Sequence, residues 1–276
     1  MGVEPTRTGF ADRCLSRSTI TPRDNEGNIL SALKNARQIF KKIEKFSGEY
    51  KMEQDIIRGA LDFSWGEAAF AMMRGEHLLV RENHLFSGHD ASRLPEWIAE
   101  AAAKGGGVDT IQEWTVGAGP GSFSGLRIAS AYVMGLAYGN DKIKVRGIST
   151  AAAMAATAFP ADNRPAEVLV LFDGKRSEII GYGLTLQGND YVQNGYKEVF
   201  RNGEELRSAA EGRAVCALEK DAAALKNFDT EAVFIPSIHA DELIRLMPGD
   251  FSTPPTALEY LRAAVFVAPK PPRNIL

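Results

Sequence analysis

Three observations in the 276-residue sequence predict an α/β fold of two related lobes, each a mixed sheet with helices packed against it. Apolar runs of strand length at Ile56–Leu61, Ala68–Met73 and Lys144–Ile148 alternate with helix-period segments at His89–Lys104 and Ser122–Tyr138. The order strand, Asp, turn, Glu, strand occurs twice, as Ala60-Leu61-Asp62 with Glu67 five residues on and Leu171-Phe172-Asp173 with Glu178 five residues on. The two aspartates are 111 residues apart, a spacing that suggests two copies of one unit. Length agrees, since roughly 150 residues per domain gives about two domains.

Hydrophobic residues at 45% and charged residues at 24% are ordinary for a globular chain, which excludes collagen-like, wholly disordered and coiled-coil readings. The net charge of -3 hides an asymmetry. Residues 1–51 carry 10 Lys+Arg against 6 Asp+Glu, while the remainder carries 22 against 29. Cys14 and Cys216 are too few for a disulfide framework, although a single bridge between them is an alternative; the usage favours a reducing compartment. No apolar run reaches the roughly 18 residues of a membrane span, and Met1–Thr21 has no signal-type stretch, so the expected location is the cytoplasm. A transit peptide fits Arg7, Arg13 and Arg17 but not Glu4, Asp12 and Asp24.

Taken in order, Met1–Asn28 has no apolar period and reads as a mobile segment. Ile29, Leu33, Phe40, Ile43 and Phe46 recur near helical spacing among Lys34, Arg37, Lys41, Lys42 and Lys45, which predicts a basic helix, either solvated with one docked stripe or in contact with RNA or an acidic surface. Ile56–Leu61 and Ala68–Met73 form a hairpin, and in the next helix Leu94, Ile98 and Ala102 share a stripe, with Pro95 tolerable near the first turn. Trp114–Val116 is a short strand, Gly117–Gly121 a glycine-rich turn, and Gly139 and Asn140 end the helix that follows. Ser149 or Thr150 caps an Ala-rich helix after Lys144–Ile148. The second half opens with the strand Glu167–Phe172 and continues at Ile179–Leu186.

The stretch from Val116 to Arg127, VGAGPGSFSGLR, lies between a strand and a helix, where several chemistries place a glycine loop. As a dinucleotide fingerprint it has Ser122 or Ser124 at the third glycine, and Val145-Arg146-Gly147-Ile148 supplies no ribose-binding carboxylate. As a phosphate loop it lacks the Lys-Ser/Thr pair, and as a nucleophile elbow it has Phe123 at the serine. A structural reading fits better: glycines for a sharp strand-to-helix turn, Pro120 to stiffen it, and Ser122 or Ser124 as the helix cap. Ala131, Gly135 and Gly139 then put small residues on one helix face, which suits either the lobe's own sheet or a partner helix, and Ile128, Tyr132 and Met134 flank them.

His77, His84, His89 and His239 include no pair at helical metal-ligand spacing, so no metal is expected. Asp62 and Asp173 suit a water-mediated magnesium ion only if their hairpins face each other around a nucleotide. Their turns hold Trp65 and Lys175-Arg176 in place of small residues whose amides wrap phosphate, which predicts a missing or degraded nucleotide site.

Gly119-Pro120-Gly121-Ser122-Phe123-Ser124-Gly125-Leu126-Arg127-Ile128, then Gly135-Leu136-Ala137 and Gly147-Ile148-Ser149-Thr150, closely resembles the signature of the TsaB (YeaZ) family, with Ser124 for threonine and Ala129 for glycine. Leu169–Glu178 resembles the second-lobe strand and D-A-R-x-x-E turn, and Tyr260-Leu261-Arg262 the C-terminal Y-L-R. The likeness covers roughly Arg58 to Arg262 and is weaker between Tyr191 and Pro254.

The resemblance implies an actin-like, ribonuclease H-like two-lobed fold and a role in making N6-threonylcarbamoyladenosine at position 37 of tRNA. It implies a non-catalytic subunit that pairs, through first-lobe helices, with a catalytic TsaD-type paralogue, joined by a TsaE-type ATPase. A homodimer through the same helices and an indirect or weak tRNA contact are further expectations, with no cofactor and no membrane. The implied interface takes Leu94, Trp97, Ile98, Gly125, Ile128, Ala131, Tyr132 and Gly135; Asp62, Ser64, Asp173 and Glu178 are the remnant of a nucleotide site. Thr150 and Met154 stand where the catalytic paralogue has its H-x-x-x-H pair. The expected organisation is a basic extension at 1–51, a first lobe at 52–155 and a second lobe with tail at 156–276. The alternatives are a stand-alone actin-like ATPase or small-molecule kinase and, with less in the sequence to favour it, a metallopeptidase.

Overall fold

The computed structural model describes Gln38, residues 56–86 and residues 90–261. Apart from Gln38, the basic extension with its expected mobile segment and helix lies outside the described residues, as do His89 and Arg262. The chain divides into units Met1–Met52 and Glu53–Leu276, and the architecture below is that of the second.

Strands β1 (Ile57–Asp62), β2 (Glu67–Arg74) and β3 (His77–Leu85) form an antiparallel meander. β2 is buried on both faces, and its two faces serve different cores. Ala68, Phe70 and Met72 enter one apolar cluster, while Ala69, Ala71 and Met73 enter another, as the two-residue period of a strand requires. β3 is absent from the sequence reading because only Val80 along it is buried; it is an edge held by backbone pairing. After helix α1 (Leu94–Ala103) come β4 (Glu113–Gly117), helix α2 (Phe123–Ala137) and β5 (Lys144–Ile148), with β4 and β5 parallel to β1. The sheet order is β3-β2-β1-β4-β5.

Helix α3 (Thr150–Ala158) leads to the second sheet: β6 (Glu167–Asp173), β7 (Ile179–Gln187), β8 (Asp190–Phe200), β9 (Ala214–Leu218) and β10 (Val233–Ile235), with α4 (Gly203–Ala210) between β8 and β9. Its order, read from β8, is β8-β7-β6-β9-β10, with β6, β7 and β8 antiparallel and β6, β9 and β10 parallel. Each sheet is therefore ordered third, second, first, fourth, fifth strand, and Asp62 and Asp173 each end the first strand. The repeat suggested by two aspartates is a duplication of one ribonuclease H-like unit, and the pair makes the actin-like two-lobed fold.

Alanines dominate α3 for a packing reason. Ala151 to Ala156 are all buried in a cluster that also takes Ala60, Ala69 and Ala71 from the first sheet and Val168, Val170 and Phe172 from the second. Short side chains let one helix lie close to both lobes. Helix α5 (Ala240–Arg245) joins the same core through Leu243 and Ile244. Cys216, on β9, is a free thiol within it, and burial pushes its pKa up to about 12.

Arg146 on β5 is 3% exposed and meets α5 where that helix ends. Its guanidinium donates to Thr115 Oγ1 at 3.0 Å and to the carbonyls of Ile244 at 2.9 Å, Leu243 at 3.3 Å, Asp250 at 3.2 Å and Met247. The Leu243 and Ile244 carbonyls belong to the helix end, where the last carbonyls have no intrahelical partner, and Met247 and Asp250 lie just beyond it. Arg146→Met keeps the length and removes every donor; we expect a loss of about 3 kcal/mol, read from the urea midpoint, because buried acceptors without partners cost about 1–3 kcal/mol each before relaxation.

Candidate functional site

The glycine turn is a junction of three chain segments. An added Cβ on Gly117 falls 1.8 Å from Asp62 Oδ2, one on Gly125 falls 1.8 Å from the Phe63 carbonyl oxygen, and one on Gly119 falls 2.2 Å from the Glu259 carbonyl oxygen. Gly119 alone among the turn glycines has positive φ, at 103°, so close approach more than backbone freedom explains the others. The 119–120 peptide is cis. Ser122 N donates to Ser64 O at 2.7 Å, Thr150 N to Gly119 O at 2.7 Å, Glu259 N to Ala118 O at 2.7 Å and Leu261 N to Gly121 O at 3.2 Å. The segment Thr253–Leu261 is thus a strap laid over the turn. Of the two serines, Ser122 is the cap: its Oγ accepts from Gly125 N at 3.2 Å.

Asp62 is 0% exposed. Its Oδ1 accepts from Ser64 N at 2.8 Å and from Ser64 Oγ, and its Oδ2 from Thr150 Oγ1 at 2.6 Å. Burial pushes its pKa up, against the opposing effect of these hydrogen bonds. Thr150 also accepts from Gly119 N at 3.1 Å, so the residue at the first of the two metal-histidine positions joins Asp62 to the turn, while Met154 lies in the core. Asp173 accepts from Lys175 N at 2.7 Å and from the Lys175 ammonium; burial opposes this, yet the lysine holds its pKa below the ordinary carboxylate value. Glu178 accepts from Arg201 Nε at 3.1 Å.

Asp62 is fully buried and Asp173 is held by Lys175, and a residue of the first hairpin turn reaches the other lobe. Trp65 stacks on Phe172 of the other lobe at 5.0 Å and 9°. The Lys220 ammonium donates to the Trp65 carbonyl and lies 5.1 Å from its ring, with its pKa lowered by burial. Among the described residues no group of three or more His, Cys, Asp or Glu is placed to hold a metal.

The expected interface divides. Leu94 and Ile98 are 0% exposed in the first lobe's own core, and Gly125 is buried against Phe63, so these three present no surface. Trp97 is half-buried, with ring contacts to Phe70, His84 and Phe86. Ile128 and Tyr132 are half-buried on α2, and Ala131 and Gly135 are exposed. A Cβ on Gly135 meets nothing within 4 Å, so the small-residue face is not packed on the lobe's own sheet. Phe123, Met134 and Tyr138 are exposed beside it, Tyr138 at 91%. The Arg127 guanidinium lies 3.7 Å over the Phe123 ring and donates to Tyr260 Oη at 3.1 Å. Phe123, Tyr138 and Tyr260 were missed as surface residues; the i, i+4 positions of Phe123, Arg127 and Ala131 were the signal available.

Residues 84–242 match the sequence model of the family described as TsaD, tRNA N6-adenosine threonylcarbamoyltransferase. The chain is 32% identical over 128 residues to the tRNA threonylcarbamoyladenosine biosynthesis protein TsaB of Haemophilus influenzae, covering 46% of this chain and 52% of that protein. It therefore spans about half the length of that relative. Two solved structures share the fold: YeaZ of Pseudomonas aeruginosa, with TM-score 0.56, 21% identity and coverage of 69% and 90%, and a protein described as similar to the peptidase YeaZ from Pseudomonas aeruginosa, with TM-score 0.56, 22% identity and coverage of 69% and 89%. Among the described residues no helix is long and apolar enough to cross a membrane. With the family model matched over more than half of its length and the glycine signature built into the lobe as a three-segment junction, the chain belongs to the TsaD family of threonylcarbamoyladenosine proteins, where it stands with the TsaB (YeaZ) members.

Proposed function

We propose that this chain is a non-catalytic subunit for N6-threonylcarbamoyladenosine formation on tRNA, and that it pairs with a catalytic TsaD-type paralogue through the exposed face of α2. The observation that carries the reading is that face: Ala131 and Gly135 open to solvent, flanked by Phe123, Met134 and Tyr138. A stripe of small residues permits close helix–helix approach, and neighbouring aromatics supply buried area. The stack of Trp65, in the first hairpin turn, on Phe172 of the other lobe supports an accessory role over a stand-alone ATPase or kinase.

In this reading residues 1–51 are a basic extension, 52–155 and 156–276 are the two lobes, and the protein acts in the cytoplasm. A TsaE-type ATPase joins the pair, the free subunit self-associates through the same face, and tRNA is held chiefly by the partner. Depletion of the protein is expected to remove threonylcarbamoyladenosine from the tRNA nucleosides of the cell, measured by mass spectrometry. Undiminished modified nucleoside overturns the role.

A further inference from the structure

A second concave site lies away from both the hairpin turns and α2. It is a cavity of about 670 Å3 bordered by the first sheet, the end of α3 and α5. Arg58 stands near the start of β1 and Asp62 at its end, so the cavity is set apart from the Asp62 site by the length of a strand. Its volume is that of a small-molecule site.

Four guanidinium groups line it, from Arg58, Arg81, Arg164 and Arg245, against the carboxylates of Glu76 and Glu242. Arg81 is oriented by buried Asp241, which accepts two bonds at 2.7 and 2.6 Å. Arg245 has its Nε 3.6 Å from buried Asp241 and 3.9 Å from Glu242, while a terminal nitrogen pairs with Glu76 at 3.2 Å; Glu76 is 87% exposed, and that last pair exchanges readily with solvent. Arg164 differs. Its side chain is 8% exposed, one terminal nitrogen donates to the Asn189 carbonyl, the closest carboxylate contact is Glu242 at 3.8 Å, and its Nε is a buried donor without an acceptor. Leaving such a donor unpaired costs free energy that an oxyanion would recover, and guanidinium groups match phosphate geometry. Pro160, Ala161 and Pro248, which are exposed, add an apolar part to the lining.

From this arrangement we infer that the cavity binds a small organic phosphate, its phosphoryl oxygens held by Arg164 and Arg245 and its apolar body resting on Pro160, Ala161 and Pro248. The site is independent of the partner-binding role proposed above. The test is titration calorimetry of the full chain at constant ionic strength, with phenyl phosphate and inorganic phosphate as probes. Phenyl phosphate should bind saturably at one site, and inorganic phosphate more weakly because it leaves the apolar lining unmet. Arg164→Gln is expected to weaken phenyl phosphate at least about tenfold, the loss of one charge-assisted hydrogen bond. Arg245→Gln, at a more exposed position, should do the same and serves if the first variant melts early. Arg207→Gln, an exposed arginine outside the cavity, should change nothing. No saturable heat with phenyl phosphate, inorganic phosphate binding as tightly as the phenyl ester, equal binding by the wild type and both cavity variants, or weakening by Arg207→Gln would each overturn the assignment.

Discussion

Gly117→Ala is expected to destabilise the chain by about 3–5 kcal/mol, because overpacking a core and leaving buried polar groups unpaired add together. The new methyl would sit 1.8 Å from Asp62 Oδ2 and 2.7 Å from its Cγ, and the carboxylate it displaces is 0% exposed. Moving Asp62 breaks its bonds with Ser64 and Thr150, and through Thr150 the link to Gly119. Gly66→Ala is the internal comparison. Its φ of 80° strains an alanine while its Cβ meets nothing within 4 Å, so it should cost only about 1 kcal/mol. Urea denaturation of both variants separates steric overlap from backbone strain. Pairing Gly117→Ala with Asp62→Ala should recover part of the loss, since the atoms in collision are then gone. A Gly117→Ala cost no greater than that of Gly66→Ala would refute the close-packed turn.

Gly135→Leu should have the opposite profile, leaving the monomer intact and abolishing partner binding. With no atom within 4 Å of the new Cβ, the side chain extends into solvent, and replacing a glycine in the last turn of the helix favours it by less than the roughly 1 kcal/mol of an interior position. On an interface that depends on close helix approach, the same side chain holds the two surfaces apart. Affinity for a TsaD-type subunit should fall at least about hundredfold, an effect of the size seen at interface hot spots. Thermal melting of the variant and co-purification with the catalytic paralogue give the two readouts. A stable variant that still co-purifies removes α2 from the interface.

Patterning exposed most of the strands nearest the centre of each sheet. β1, β2, β6 and β7 were legible because their apolar runs are long and end at Asp, Arg or turn residues, and the shorter β4 and β5 were read at Trp114–Val116 and Lys144–Ile148. β3 was not, since an edge strand can be built from polar residues and still pair, and β8, β9 and β10 were not read either. The helix faces divided on a similar point. Periodicity marked Leu94 and Ile98 as one stripe of α1, but a stripe facing the helix's own core has the same spacing as one facing a partner. Gly125 looked like a small surface residue and is small because the Phe63 carbonyl lies against it. For the nucleotide site, the altered turn at Asp62 was plain in the sequence. The long-range part was not: Thr150, 88 residues away, closes the carboxylate from the other side.

The strap over the glycine turn makes the first lobe depend on chain that follows the second sheet. Ala118 and Gly121 accept from Glu259 N and Leu261 N, and the Arg127 stack on Phe123 includes Tyr260. The turn that opens α2 is therefore closed by residues that come after β10 and α5 in sequence. Loss of the strap would take these partners from both carbonyls, so the seating of α2 is tied to a segment from the far end of the described fold.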